Sequence, residues 1–166
     1  MLRFEQGSIN EDYLLHLYDL FKNYCRSGPQ YSDRKADFRT NKIYSRIQFQ
    51  TRSLPCFNEF HSLFYENKMK RIPVNITELL TTRGLAYWAM DDGSKKGSGF
   101  IFCTDSYSLE NVQLLVKVLR DKFHLNATIN IGSNKNHRIY INSDSMKNLK
   151  ELVIPYFHES MKYKLD

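Results

Sequence analysis

Apolar side chains along the chain follow two alternating rhythms, one of period two and one of three to four. Leu2-Arg3-Phe4-Glu5-Gln6 sets apolar and polar residues in turn, which predicts a short half-buried strand. Asn10 can then cap a helix whose Leu14, Leu15, Leu17, Tyr18 and Phe21 share a face, and Ser27-Gly28-Pro29 breaks it. After a polar stretch, Ile43 to Gln50 alternates again, with Ile43, Ile47 and Phe49 inward and Tyr44, Arg46, Gln48 and Gln50 outward. Leu54, Phe57, Phe60, Leu63 and Phe64 recur at helical steps and predict another amphipathic helix.

The second half begins with an additional helix. Thr81 or Thr82 can cap it, Leu85, Trp88 and Ala89 lie along it, and Asp91-Asp92-Gly93 ends it. Phe100 to Thr104 reads as a strand, and Ser108 caps a helix striped by Val112, Leu115, Val116 and Leu119. Ala127 to Ile131 and Arg138 to Asn142 read as two strands joined by the turn-rich Gly132 to Asn136. Asp144 or Ser145 caps a last helix through Leu149, Leu152 and Val153, stopped near Pro155. These orders predict an α+β fold with antiparallel sheets, in two similar halves, 1–80 and 81–166, the first lacking its opening helix.

Composition narrows the partner more than the fold. Lys and Arg number 24 against 18 Asp and Glu, giving +6, and each half contributes +3. Such a balance favours a polyanionic partner. The densest patch runs from Arg26 to Arg52, where seven basic residues face only Asp33 and Asp37. No apolar stretch approaches the length of a membrane span. The opening residues, with Glu5, Glu11 and Asp12, resemble neither a secretory signal nor an acid-poor transit peptide. Cys25, Cys56 and Cys103 are odd in number and widely spaced, which suits free thiols in a reducing compartment. The five His show no metal-site spacing, and no Gly-rich phosphate loop or Ser or Cys nucleophile arrangement occurs.

Asp91-Asp92-Gly93 is the most informative local feature. Gly93 suits the left-handed position that terminates a helix. Two carboxylates there face the negative end of the helix dipole and call for a compensating cation, which a divalent metal can supply. From the tripeptide alone, a plain Asp-Gly turn after a helix is the favoured reading.

Leu85-Ala86-Tyr87-Trp88-Ala89-Met90-Asp91-Asp92-Gly93 resembles the signature helix, residues 82–93, of the LAGLIDADG homing endonucleases. Lys70-Arg71-Ile72-Pro73, Leu79-Leu80-Thr81, the helix from Leu109 to Phe123, and Ile154-Pro155-Tyr156 with Tyr163-Lys164-Leu165 resemble the two-motif, intron-encoded branch in the same order. The resemblance implies a saddle of pseudo-twofold αββαββα halves, the first truncated, with antiparallel sheets in the major groove of a long asymmetric DNA site. It implies Mg²⁺ bound by Asp92, with the Gly93 backbone and, secondarily, Asp91 beside it, and catalytic roles for Asp92, Lys70 and Lys164. It further implies an organelle-encoded protein, mitochondrial first and chloroplast as the alternative.

The outward faces supply candidate DNA contacts. Arg39, Lys42, Arg46, Gln48, Gln50 and Arg52 come from the first half, and Lys135, Arg138 and Tyr140 from the second. Arg suits guanine and Gln suits adenine in the major groove, although an ordinary solvent face of a sheet also alternates in this way. Small Gly84, Ala86 and Ala89 suit a close helix contact, or simply a packed core helix.

A two-motif member of the branch carries a further signature helix ahead of the segment like Leu2-Arg3-Phe4-Glu5. No second such motif stands before Asp92 here, so a second catalytic carboxylate is expected from an upstream start, another half-domain or a second copy. An unpaired motif helix would favour oligomerisation or poor solubility. Three functions stay open: a site-specific DNA endonuclease serving intron homing, a maturase that binds intron RNA, and a catalytically decayed DNA-binding remnant.

Overall fold

The computed structural model describes residues 1–132 and 136–166 and divides into two compact units, Met1–Glu59 and Phe60–Asp166. The segment between Phe60 and Leu80 therefore packs with the second unit. One reason is that the Ile72 amide donates to Asn111 Oδ1 (2.9 Å) and Lys122 Nζ to the Thr77 carbonyl (2.5 Å).

In the first unit, strand β1 (Arg3–Gly7) leads through a 3₁₀ turn into helix α1 (Glu11–Phe21), then to strands β2 (Gln30–Asp33) and β3 (Ser45–Gln50). The sheet order is β1-β3-β2, antiparallel throughout. Tyr13, Leu14 and Leu17 of α1 are buried, as are Ile47 and Phe49 of β3. Phe4 stacks on Phe49 at 4.6 Å and lies 4.9 Å from Phe21. Glu11 and Asp12 in the first turn suit the positive end of the α1 dipole. The Asn10 side chain does not cap the helix; its Nδ2 donates to Gln6 Oε1 (3.3 Å).

Two expectations fail here. Ile43 is not an inward strand residue: β3 starts at Ser45, and Ile43 is 66% exposed in the loop before it. The stretch from Leu54 is not one amphipathic helix. Pro55 opens a 3₁₀ turn through Phe57, and the helix that follows, α2 (Asn58–Phe64), buries no residue.

The second unit continues with a small hairpin, β4 (Tyr65–Glu66) and β5 (Met69–Lys70), and a one-turn helix α3 (Ile76–Leu79). Then come α4 (Thr82–Asp92), β6 (Gly93–Lys96), β7 (Gly99–Phe102), α5 (Leu109–Asp121), β8 (Ala127–Ile131), β9 (His137–Ile141) and α6 (Met146–Val153). From α4 onward this is the αββαββα order. Its sheet runs β6-β7-β9-β8, all antiparallel. Thr81 Oγ1 accepts the Gly84 amide (3.1 Å) and Ser108 Oγ the Asn111 amide (3.4 Å), as expected of helix caps. Val112, Leu115, Val116, Val118 and Leu119 of α5 are buried, as are Phe100, Phe102, Ile139 and Ile141 of the sheet.

The two sheets share one plan. β1, β3 and β2 occupy the places of β7, β9 and β8, with the strand that comes last in the sequence in the middle of each three. In the pairing frame, Ile47 opposite Gln6 and Phe49 opposite Phe4 match Ile139 opposite Phe102 and Ile141 opposite Phe100. Arg46 and Arg138 consequently hold the same position, one residue before the buried isoleucine of the central strand.

Candidate active site and nucleic-acid faces

α4 brings its two carboxylates to the start of a sheet. Ala86, Ala89, Leu85 and Met90 are fully buried, and Gly84 is half-buried. Trp88 stacks on Phe102 with ring centroids 4.2 Å apart. The helix then turns directly into β6, with the Cys103 amide donating to the Asp92 carbonyl (2.8 Å). Gly93 does not adopt the expected left-handed conformation: its φ of −94° and ψ of 154° are extended, and it is the first residue of β6. A glycine is needed for a different reason. A Cβ here would lie inside the contact distance of the Ala89 carbonyl oxygen and the Phe100 ring.

Lys164 closes the negative end of the helix. Met161 and Leu165 are buried anchors of the C-terminal 3₁₀ segment Glu159–Lys164. They hold the Lys164 ammonium so that Nζ donates to the Met90 carbonyl and, at 3.4 Å, to that of Asp91. The cation called for by two acidic residues at a helix C-terminus is thus supplied in part by a lysine. Burial lowers the Lys164 pKa, against the opposing charges of Asp91 and Asp92.

Lys70 reaches the site from the β4–β5 hairpin, opposite Tyr65. Arg71 fastens this hairpin to the end of α2: its Nε donates to the Leu63 carbonyl (3.2 Å), its Nη2 to that of Ser62 (2.9 Å), and its amide to that of Phe64 (2.9 Å). Lys70 Nζ lies 6.0 Å from the centre of the Tyr107 ring. Tyr107 comes from the turn between β7 and α5, where its amide donates to the Thr104 carbonyl (3.1 Å). Desolvation raises the Tyr107 pKa first, followed by the charges of Asp92 and Tyr65.

The Asp92 side chain keeps solvent access, yet the packed surroundings desolvate it enough to raise its pKa; the charges of Lys70 and Lys164 pull the other way. Asp92, Lys70 and Lys164 are therefore brought together electrostatically, with Asp91 beside Lys164. Among the described residues no three His, Cys, Asp or Glu side chains converge as a metal cage. One accessible, incompletely compensated carboxylate fits the other way Mg²⁺ is held, through one or two carboxylates with phosphate oxygens and water completing the shell. Tyr107 and Tyr65 were not apparent in the sequence, since each enters through a turn or a two-residue strand.

The expected DNA-contacting residues divide by setting. On the face of the first sheet opposite α1, Gln50 is exposed and Gln48 and Arg46 are half-buried. Arg46 Nε donates to Ser32 Oγ (2.9 Å), and its Nη1 to both oxygens of Glu5 (3.2 and 3.1 Å). Glu5 also receives Arg34 Nη2 (2.8 Å) and Arg3 Nη2 (2.9 Å), and the latter reaches Gln48 Oε1 (2.5 Å). Partial burial would raise the Glu5 pKa, but hydrogen bonds from Arg34 and Arg46 outweigh it and hold the carboxyl below its ordinary value. Arg39 and Lys42 lie in the β2–β3 loop, where Asp37 accepts the Arg39 and Thr40 amides (2.9 and 3.2 Å). Arg52 lies beyond β3 and donates to the Asn23 carbonyl (3.0 Å).

In the second sheet, Tyr140 is half-buried, and Arg138 is not a free donor. Its Nε and Nη2 bind Asp105 side-on at 2.7 and 2.6 Å. That hydrogen-bonded pairing pulls the Asp105 pKa down to about 2 and pushes that of Arg138 up. Lys135 lies outside the described residues. Among the described residues no helix is long and apolar enough to cross a membrane.

Residues 1–149 match the LAGLIDADG DNA endonuclease family. The chain belongs to that family. The cytochrome b mRNA maturase bI2 of Debaryomyces hansenii is 37% identical over 99% of this chain, which spans 63% of that relative's length. The intron-encoded endonuclease ai4 of Dictyostelium discoideum is 38% identical over 75% of the chain and 79% of its own length. Among solved structures, the homing endonuclease I-WcaI bound to its DNA recognition sequence superimposes with a TM-score of 0.85 at 32% identity, covering 99% of this chain and 74% of that one. The α+β LAGLIDADG homing-endonuclease fold expected from the sequence is therefore the fold of this chain.

Proposed function

We propose that this chain is part of an intron-encoded, site-specific DNA endonuclease that makes a Mg²⁺-dependent double-strand break serving intron homing. The observation that carries this reading is Lys164 Nζ seated on the Met90 and Asp91 carbonyls at the end of a LAGLIDADG helix, with Asp92 under the charges of Lys164 and Lys70. A relative of 32% identity whose structure holds its DNA recognition sequence supports DNA as the partner. A mitochondrial origin fits a relative named for cytochrome b mRNA.

In this mechanism Asp92 would hold the metal, with the Gly93 backbone and Asp91 as the other donors available to it. A divalent ion held there would supply Lewis acidity to the phosphoryl oxygens. Lys70 and Lys164 flank the carboxylate and stabilise negative charge that builds on phosphorus oxygens during in-line attack of water. Arg46, Gln48 and Gln50 of the first sheet and Arg138 and Tyr140 of the second contact base edges, and Arg39, Lys42 and Arg52 contact phosphates. The second carboxylate of the active site comes from a partner half, supplied by another segment or another copy.

A second reading is a maturase that binds intron RNA, favoured by the 37% identity of a maturase across nearly the whole chain. Asp92→Asn separates the two. Under the endonuclease reading it abolishes Mg²⁺-dependent cleavage of a plasmid library bearing the intron-less host gene, by roughly 100-fold or more, while duplex binding stays within about twofold. Retained splicing of the encoding intron with the same variant, and no cleavage by the unaltered chain, supports the maturase and defeats the endonuclease.

A further inference from the structure

Two arginines at one position of the shared sheet plan, Arg46 and Arg138, are each clamped by a carboxylate that comes from a different place. Glu5 reaches Arg46 from β1, while Asp105 reaches Arg138 from the turn after β7. The two halves thus place an arginine–carboxylate contact at the same sheet position by unrelated local routes, through Nη1 of Arg46 in one and Nε and Nη2 of Arg138 in the other. Each clamp leaves one terminal nitrogen of the fork unengaged by its carboxylate, Nη2 of Arg46 and Nη1 of Arg138. The clamps are also partly open to solvent, with side-chain exposures of 31% for Arg46 and 39% for Arg138.

Stability is a poor explanation for these pairs, because ion pairs open to solvent contribute little. On a face that meets a polyanion, each carboxylate also opposes binding, since it repels phosphate and cancels one cation. Glu5 does this among three arginines, Arg3, Arg34 and Arg46. What a carboxylate gains there is geometric. A free arginine swings to whichever phosphate or base edge is near, whereas a clamped one offers its remaining donors from a fixed point. Fixed donors reject a base pair whose acceptors do not match, at the expense of general affinity.

We propose that Glu5 and Asp105 are specificity-determining positioning residues, each fixing the central-strand arginine of its sheet for reading base edges in duplex DNA. The proposal rests on the DNA-recognition reading above. It makes a signed prediction that a structural role does not: removing the carboxylate strengthens binding to arbitrary DNA while blurring the selected sequence.

The test uses the full chain and a library of duplexes with a randomised central segment, selected by binding, beside one fixed duplex of arbitrary sequence. Glu5→Gln and Asp105→Asn keep the side-chain size and remove the charge. Each is expected to bind the arbitrary duplex severalfold more tightly, with a salt slope steeper by roughly one unit. Each is also expected to lose about tenfold in discrimination at one or two base pairs, in different parts of the selected site. Asp19→Asn removes an equal charge from the exposed side of α1, where Asp19 pairs with Lys22 (3.2 Å), and is expected to leave the selected sequence unchanged. If both clamp variants select the unaltered sequence, or Asp19→Asn blurs it equally, the proposal is overturned alone. If the unaltered chain enriches no sequence, the DNA-recognition reading falls and the proposal with it.

Discussion

Asp92 and Asp105 are both aspartates near lysine or arginine, yet their surroundings drive them in opposite directions. Asp92 is desolvated, and two ammonium groups only partly offset that, so its pKa rises. Asp105 stays accessible and receives two guanidinium donors, so its pKa falls to about 2 from 3.8. The depressed value carries a stability signature of definite sign. Its contribution is fully present above the unfolded-state value, near 3.8, and is lost as the pH falls through about 2. Asp105→Asn has no such carboxylate to titrate. The difference in melting temperature between the unaltered chain and Asp105→Asn is therefore expected to be small but positive at pH 5, and to close between about pH 4 and pH 2. A difference that stays constant across that window in thermal melts would show that the pair adds nothing to the folded state.

At the scale of elements, the junction of α4 and β6 carries the tightest constraint. Gly93 pairs with Phe102 across the sheet while its amide donates to the Ala89 carbonyl, so helix end and strand start share one residue. Gly93→Ala has nowhere to put its methyl, which would meet the Ala89 carbonyl and the Phe100 ring. A destabilisation of at least about 1–3 kcal/mol is expected in urea unfolding; a loss below about 0.5 kcal/mol would mean that the junction relaxes. That glycine was visible in the sequence, but its reason was not. A helix-ending Asp-Gly suggests a left-handed cap, and only the pairing of β6 reveals crowding instead. The helices α1, α4, α5 and α6 were legible because their apolar stripes run for two or more turns. β2 and β6 were not, because Gln30–Asp33 and Gly93–Lys96 are short polar strands on sheet edges, without alternation to read. Asp92, Lys70 and Lys164 are candidates that rest on a family resemblance spread over distant segments. Glu5, Asp105 and Tyr107 needed the fold itself, since each acts on a residue 33 or more positions away.

At the scale of the whole chain, the even charge of the two halves takes on a different meaning. A basic tail binds DNA through many independent phosphate contacts and loses affinity steeply with salt. Here five of the 24 basic side chains are committed internally at these sites: Arg3, Arg34 and Arg46 to Glu5, Arg138 to Asp105, and Lys164 to the end of α4. The number of phosphates neutralised should then follow the net charge of +6 rather than the 24 basic side chains. Binding of the full chain to a fixed duplex is expected to show a log–log salt slope of about −4 to −6. Competition between duplex DNA and the encoding intron RNA, followed across the same salt range, would expose the contribution that charge does not make. A slope steeper than about −10 would mean that the clamped arginines open to bind phosphate. One shallower than about −2 would mean that phosphates are not the main contact, and would remove the electrostatic basis for placing DNA on these sheets.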